Sequence, residues 1–341
     1  MKSSRRLLYR FTLVGALLAL AVGTGYAKEK DVLEAVKVKT PPKLDGMMDD
    51  AWKEAKPLTI KVIDGANLPG GETDVKLRAV YTKDMIYLLA QYKDATQSFR
   101  RSPWQKQPDG TWKKLKDPND KGGDNKLYYE DKFGWAWNIS SPSFEKEGCS
   151  YACHTGEGKP FGNKYLEKAG ERLDLWHLKS VRTGPNGQVD DGYVDNTRYD
   201  KEKSPNAGRK TDPKTGGGYE DNQTEDKKMP KFGRKGNQPA PPYWIFNAEK
   251  EPFDDSKYKA GDEVPGILVA PFAGDRGDVA VSMRWEKGTW TVEFARKLVT
   301  GSEFDVQFND LKKAFSFGVA VFDNAQVRHA YDDGVHFLKF K

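Results

Sequence analysis

Short runs in which apolar and polar residues alternate recur along most of this chain, and they constrain its fold more than any other feature. The clearest runs are residues 58–63, 75–81, 85–92, 132–139, 267–270, 279–285, 289–294, 315–322 and 335–340. A period of two with many β-branched and aromatic residues is typical of half-buried strands. Because these runs do not alternate with helical segments, they predict an all-β fold, an antiparallel β-sandwich.

The connections between the runs refine this prediction. Residues 279–285 and 289–294 are joined by Glu286, Lys287 and Gly288, which predicts a hairpin whose glycine accepts a positive φ. Helical signals are confined to residues 49–55, which have an acidic first turn, and residues 163–171. We therefore expect a sandwich with a few short helices.

One internal segment differs in composition from the rest of the chain. Residues 194–242 are rich in Gly, Pro, Asn, Lys and Asp and contain almost no apolar residues. A stretch of this length is either disordered or a functional covering loop. We expect it, together with residues 140–173, to be a long insertion between the two halves of a single domain that spans residues 28–341.

The N-terminus has the pattern of an export signal. Four basic residues precede a short apolar run from Phe11 to Val22, and small residues lead to a predicted cut after Ala27. Arg5 and Arg6 leave both the general secretory and the twin-arginine routes open. We therefore expect residues 1–27 to be removed and the mature chain, which has no segment long and apolar enough to span a membrane, to be periplasmic.

The charge of the mature chain argues against a nucleic-acid partner. The net charge of +6 for the full sequence falls to +2 because residues 1–27 contain four basic residues and no acidic one. The remaining basic residues are interspersed with acidic ones instead of forming a stripe.

Both cysteines of the chain lie in the stretch EGCSYACHTGEG, where Cys149 and Cys153 are followed directly by His154. In an exported protein the pair is compatible with a disulfide. A zinc site lacks a fourth clustered ligand. The third interpretation is covalent haem c, because C-x-x-C-H attaches the porphyrin through two thioethers and places an imidazole at the iron; here one extra residue separates the cysteines.

A second group of candidate ligands follows in the stretch DLWHLK. In an extended conformation His177 and Lys179 point to the same face, so a further iron ligand is available close to the motif. The alternative is an exposed edge strand that carries a histidine and a lysine with no role. Neighbouring aromatic residues, among them Trp176, suit either a core or a haem pocket.

The chain resembles the ethylbenzene-dehydrogenase-related haem-binding family, whose members include haem subunits of periplasmic molybdenum enzymes and monohaem c-type relatives. The resemblance is carried by LDG with DAW, LRAVY, EDK, GC with CH, DLWHLK, GDV, WTVE and FGVAVFD, in that order along the chain. It implies a β-sandwich that binds one haem and serves electron transfer. It also implies a redox partner, either a molybdenum oxidoreductase or another cytochrome.

The resemblance and the intrinsic chemistry differ on the distal iron ligand. The family's non-covalent branch uses a methionine and a lysine, and the lysine matches Lys179, which we prefer on that basis. In this chain His154 would replace the methionine as the proximal ligand. A neutral imidazole binds iron without losing a proton, whereas lysine must lose one, so the residues alone favour His177. Met229, in the polar segment, is a spare candidate.

Enzymatic motifs are absent from the sequence: it contains no nucleophile elbow, no phosphate-binding glycine loop and no paired His-Glu metal motif. We therefore expect an electron-transfer protein without catalytic residues, possessing one covalent haem c. The alternative from another class is a carbohydrate-binding β-sandwich module in which Cys149 and Cys153 form a disulfide, since KLDGMMDDAW also resembles the start of such modules.

Overall fold

The computed structural model describes residues 30–153 and 164–341, so the predicted signal peptide and His154 lie outside the described residues. The strands are β1 Lys30–Lys37, β2 Leu58–Val62, β3 Thr73–Tyr81, β4 Met85–Lys93, β5 Trp104–Lys106, β6 Trp112–Lys114, β7 Lys132–Asn138, β8 Leu173–Lys179, β9 Gly192–Val194, β10 Arg209–Thr211, β11 Gly216–Asp221, β12 Phe232–Gly233, β13 Ile245–Phe246, β14 Glu251–Pro252, β15 Glu263–Val264, β16 Ile267–Ala273, β17 Ala280–Glu286, β18 Thr289–Lys297, β19 Ala314–Phe322, β20 Ala330–Tyr331 and β21 Val335–Phe340. The helices are α1 Asp50–Lys53, α2 Pro142–Glu147 and α3 Cys149–Cys153.

The main sheet has thirteen strands, and eleven of them form the path β10-β9-β8-β7-β19-β21-β1-β3-β4-β18-β17. The sheet folds over on itself, because rings from β7 meet rings from β4 and β18 across the core. The centroids of Trp135 and Phe294 are 6.1 Å apart, and Phe133 stacks on Tyr92 at 5.7 Å. The predicted β-sandwich is confirmed.

Pairing in the main sheet is antiparallel except at β1. This strand runs parallel to both of its neighbours, β21 and β3. No hairpin joins β1 to either neighbour, so nothing in the connectivity forces an antiparallel arrangement. The prediction of antiparallel pairing therefore holds for the other pairs of the main sheet and fails at this one strand.

Each run of alternating residues noted above contains a strand. Eight of these strands belong to the main sheet, and residues 267–270 belong to β16, which lies in a separate three-stranded sheet with β11 and β13. The predicted hairpin is β17 and β18, which are paired up to Glu286 and Thr289. Lys287 and Gly288 form its two-residue turn, and both have positive φ values, 49° and 77°. This conformation matches the twist of the flanking strands.

The predicted helices have different outcomes. The helix expected at residues 49–55 is present as α1, and Asp49 caps it by accepting a hydrogen bond from the backbone N–H of Ala51. The helix expected at residues 163–171 is wrong for its described part, residues 164–171, which contains no helix. The backbone there pairs with another segment instead: the N–H of Leu166 donates to the carbonyl of Asp195.

The polar segment 194–242 contains short strands of its own, β10, β11 and β12, and β11 pairs with β16. Asn222 orders its centre. The Asn222 amide donates to the carbonyls of Phe232 and Pro265 and accepts from the N–H of Phe232, and the residue is fully buried. Hydrogen bonds of a buried polar side chain thus order this segment, which has few apolar residues to pack. Among the described helices, none is long and apolar enough to cross a membrane.

Candidate functional site

The two faces of β7 and β19 differ sharply in side-chain size. Large residues, including Trp135, Trp137 and Phe317, are fully buried in the core on one face. On the other face, the positions from Gly134 to Ala136 of β7 and from Gly318 to Ala320 of β19 are glycine or alanine. Ala136 pairs with Gly318, and Gly134 pairs with Ala320, so the four small residues form one continuous patch. This patch is the floor of a cavity.

The walls of this cavity come from several elements. Leu173, Leu175 and His177 of β8 form one wall, and Val194 and Arg209 of the β9–β10 hairpin extend it. Further lining residues are Cys149, Lys164, Phe322, Val327 and His329. The cavity encloses about 790 Å³ of space outside atoms, part of it open to solvent. We call this feature the small-residue cavity.

Cys149 is the first residue of α3 and lies directly over the floor. A Cβ atom built on Gly318 would overlap the Cβ of Cys149 and lie 3.0 Å from its Sγ. The glycine is therefore required by the approach of this helix to β19. The backbone of Cys153 ends α3, while the side chain of Cys153 and the whole of His154 fall outside the description.

His177 lines this cavity and has a ring nitrogen without a described hydrogen-bond partner. Its ring stacks on Phe322 with centroids 5.4 Å apart, and its Nδ1 lies 2.8 Å from a guanidinium nitrogen of Arg209. Its Nε2 is buried and has no hydrogen-bond partner among the described residues. Burial, helped by the charges of Lys179 and Arg209, lowers the pKa of His177 well below 6.5. The imidazole is therefore neutral near pH 7.

Lys179 is buried on the same strand, but its ammonium nitrogen is engaged elsewhere. It forms an ion pair with Asp190 and lies 3.0 Å from the hydroxyl of Tyr219. Asp190 also binds Arg276, at 2.6 Å. Burial lowers the pKa of Lys179 to about 7, against the opposing effect of the Asp190 carboxylate. β8 is not the exposed edge strand of the alternative interpretation, because it lies between β7 and β9 in the sheet.

The remaining candidates lie at different distances from the cavity. Trp176 faces the opposite side of β8, in the core, with its ring 5.5 Å from that of Trp137. Met229 belongs to a turn in which its backbone carbonyl accepts a hydrogen bond from the N–H of Thr224. It is not among the described lining residues of the cavity. His336 contacts Asp332 and also lies outside the described lining.

Sequence reasoning missed the floor and Arg209. The signal for the floor was present in the strand sequences GWAW and FGVAV, where small residues alternate with large ones. The sequence prediction used only the large residues of those strands. Arg209 lay in the segment assigned to a loop. Of the two histidines near the C-terminal strand that could touch a haem edge, His329 lies at the cavity, with its ring tilted against that of Phe322 at 4.8 Å.

These residues fit a haem. A flat apolar ring needs an even floor, which the four small residues provide, and covalent attachment needs a thiol, which Cys149 provides above that floor. A buried imidazole nitrogen without a hydrogen-bond partner is a potential iron ligand. The charged side chains among the described lining residues are basic, Lys164 and Arg209, which suits the carboxylates that haem carries.

The sequence model of the ethylbenzene dehydrogenase family matches residues 49–334. The chain belongs to this family. The match includes the described residues of the small-residue cavity and all of the strands that form its floor and walls. It confirms the family expected from the sequence. None of the curated proteins compared with this chain is significantly similar to it in sequence.

Solved structures with a similar arrangement of strands are distant from this member of the family. A family 9 carbohydrate-binding module from Caldicellulosiruptor kristjanssonii, in complex with glucose, is 10% identical, covers 91% of this chain and 97% of its own, and has a TM-score of 0.35. A protein from Bacteroides uniformis assigned as carbohydrate-binding is 11% identical, covers 92% and 100% respectively, and has a TM-score of 0.36. Scores below 0.5 do not support the transfer of a ligand.

Proposed function

We propose that this chain holds one covalently attached haem in the small-residue cavity and transfers single electrons. The observation that carries the proposal is that Cys149 and His177, whose buried Nε2 has no hydrogen-bond partner among the described residues, line one cavity with a floor of glycine and alanine. Bound haem supplies reversible one-electron chemistry at iron. Cys149 and Cys153 would form the thioethers, and His154 would be the proximal ligand.

The geometry favours His177 over Lys179 as the distal ligand. Lys179 would have to release Asp190, and breaking a buried ion pair typically costs about 3–5 kcal/mol. His177 already presents a buried nitrogen without a hydrogen-bond partner to the cavity and needs only to exchange its contact with Arg209, a hydrogen bond to a charged group worth about 1.5–3 kcal/mol. This difference in cost favours His177, whereas the family resemblance favoured Lys179.

The other lining residues would set the environment of the iron. Leu173, Leu175 and Phe322 exclude water, and a dry apolar shell raises the reduction potential. With both axial positions filled by histidine, the iron would be closed to small ligands, as electron transfer requires. We propose that the chain acts in the periplasm and exchanges electrons with a molybdenum oxidoreductase or another cytochrome.

The test is expression of the full chain in a host that performs c-type haem maturation, followed by extraction with acidified organic solvent. We expect one haem per chain to stay with the polypeptide, and the double variant Cys149→Ser, Cys153→Ser to release whatever haem it binds. The reduced wild type should bind carbon monoxide slowly or not at all. A colourless protein, or complete extraction of haem from the wild type, would overturn the proposal.

A carbohydrate-binding module is the second candidate. Tyr243 and Trp244 line a separate open cleft with Phe99 and Arg100, and an aromatic surface of this kind can stack on a sugar ring. The disulfide in this alternative is disfavoured by the backbone, because positions four apart in a helix have Cβ atoms roughly 5–6 Å apart, whereas a disulfide needs about 3.5–4.5 Å. Calorimetric titration with glucose and cellotriose separates the candidates, since the cytochrome predicts no heat of binding.

A further inference from the structure

We propose that Asp191, Asp212 and Asp305 bind one calcium ion at a site distinct from the small-residue cavity. All three side chains are buried, with no more than 2% of each residue exposed. One carboxylate oxygen from each lies within 4.8 Å of the others. Two oxygens bound to the same calcium ion lie at most about 5 Å apart, because each bond is about 2.3–2.6 Å long.

The oxygens of these carboxylates lack the partners that buried charges require. Both oxygens of Asp212, Oδ2 of Asp191 and Oδ1 of Asp305 are buried without a hydrogen-bond partner in the part of the chain that the structure describes. Buried carboxylates in native proteins are paired, hydrogen-bonded or bound to a metal. Buried oxygens without a described partner on three carboxylates that lie this close together therefore point to a cation that completes the site.

The charge balance around the cluster supports the same conclusion. Arg296 is fully buried and lies 2.8 Å from Asp174 and 3.9 Å from Asp305, so its guanidinium contacts one carboxylate of the cluster. The single charge of Arg296 does not balance the four carboxylates of Asp174 and the cluster, and a divalent ion would.

Calcium fits this site better than magnesium. Calcium accepts six to eight oxygen ligands in a flexible geometry, including carboxylates that bind through both oxygens, as Asp212 is free of hydrogen bonds to do. Magnesium demands near-ideal octahedral geometry and keeps several waters, which a buried carboxylate cluster does not accommodate easily.

A second group of buried carboxylates, Asp94, Asp131 and Asp323, shows what a satisfied cluster looks like. Asp131 accepts backbone N–H groups at both oxygens, from Ser98 and Asn324, and Asp94 accepts from Thr96 at Oδ1. Within the described residues only Oδ2 of Asp94 in this group lacks a partner. Protein donors already meet most of its requirements, so we assign no ion there.

The position of the calcium site gives it a structural role. Asp191 immediately precedes β9, Asp212 immediately follows β10, and Asp305 belongs to the segment after β18. The ion would tie the open end of the β9–β10 hairpin to that segment. The same hairpin carries Val194 and Arg209, which line the small-residue cavity. Calcium would therefore fix one wall of the cavity in place.

The experiment uses the full chain, stripped with chelator, exchanged into metal-free buffer and titrated with Ca²⁺ or Mg²⁺ in a calorimeter and in thermal unfolding. We expect one Ca²⁺ per chain and a rise in Tm of roughly 5 °C at a free Ca²⁺ concentration about 100-fold above Kd. Cleavage by trypsin in the connection between β9 and β10, at the exposed residues Lys201 and Lys203, should slow when calcium is added.

The variant Asp212→Asn separates metal binding from folding. It removes a repelled carboxylate that makes no hydrogen bond, so its Tm in chelator should equal or exceed that of the wild type, while the calcium response is lost. Asp195→Asn, the same substitution on the same hairpin outside the cluster, should keep the full response. No binding of Ca²⁺ by the stripped wild type, or an equal response to Mg²⁺, would overturn the assignment. Haem content does not enter either measurement, so the result is independent of the proposed function.

Discussion

The guanidinium of Arg209 lies 2.8 Å from Nδ1 of His177 and fixes which nitrogen of the ring carries its proton. A guanidinium only donates, so Nδ1 accepts and the proton of the neutral ring lies on Nε2. An imidazole that binds iron through Nε2 instead carries its proton on Nδ1. The two states exclude each other, and ligation by His177 requires the contact with Arg209 to break.

The variant Arg209→Gln tests this exclusion. The glutamine carbonyl can accept a hydrogen bond from Nδ1–H, which favours the ligating tautomer and makes the imidazole a stronger donor to ferric iron. We expect a low-spin ferric spectrum and a lower reduction potential than in the wild type, measured by spectroelectrochemistry. Arg198→Gln is the control, because Arg198 lies over Tyr165 outside the described lining of the cavity. A high-spin Arg209→Gln protein with normal haem content would contradict the mechanism.

Paired variants at β8 identify the distal ligand. His177→Ala should produce high-spin ferric iron and rapid binding of carbon monoxide to the reduced protein. Lys179→Ala should leave the near-infrared charge-transfer band unchanged and lower the free energy of unfolding by less than the cost of an unpaired buried charge, about 3–5 kcal/mol, because Asp190 keeps its ion pair with Arg276. The reverse pattern, with a changed spectrum only in Lys179→Ala, would restore the lysine assignment suggested by the family resemblance.

Two glycines of the floor form a matched pair for testing the contact with α3. In Gly318→Ala the new methyl group overlaps Cβ of Cys149, and overpacking of this kind costs about 1–3 kcal/mol. We expect less haem per chain and a lower urea midpoint. In Gly134→Ala the nearest atom is 3.8 Å away, an ordinary contact, so the midpoint should stay near that of the wild type. Equal midpoints for the two variants would show that α3 does not press on β19.

A buried ion pair behind the cavity predicts a pH dependence of stability. Glu130 is fully buried, binds Arg182 through Oε1 and accepts the N–H of Val181 at 2.8 Å. Burial opposes its ionisation, but the charges of Arg182 and Arg101 outweigh burial, and the pKa of Glu130 lies below 4.5. Its contribution to stability is therefore complete above the pKa of the unfolded state and is lost as the pH falls through the folded-state pKa.

The variant Glu130→Gln should lose about 3–5 kcal/mol of unfolding free energy at pH 7, because Arg182 is left buried without its carboxylate. The difference from the wild type should shrink as the pH falls through the folded-state pKa of Glu130, because the wild type then loses the charge that glutamine never carries. Glu263→Gln is the control: its partner Arg100 is 43% exposed, so water compensates and the loss should be under about 1 kcal/mol. A constant difference across pH would refute the role of the ion pair.

The sandwich could be predicted from the sequence because apolar and polar residues alternate along its strands. This alternation is visible within each strand and does not depend on which strands pair. The cavity did not follow, because it depends on which strands become neighbours. Gly134 and Gly318 are far apart in the sequence and line the same cavity only because β7 pairs with β19. The contacts of the Lys179 ammonium group could not be predicted either, because its partners Asp190 and Tyr219 belong to two different segments.

The parallel strand β1 sets a condition on how this chain acquires its shape. Lys30 pairs with Val335, and the register continues to the pairing of Ala35 with Phe340, so one of the first described strands is held by one of the last. A contact between such distant positions forms late and slows folding. During synthesis β1 has no neighbour on one side until β21 has been made, and β19 waits for β21 in the same way. A nascent chain therefore cannot assemble the cavity floor in its final setting, and the small-residue cavity is complete only once translation has delivered β21.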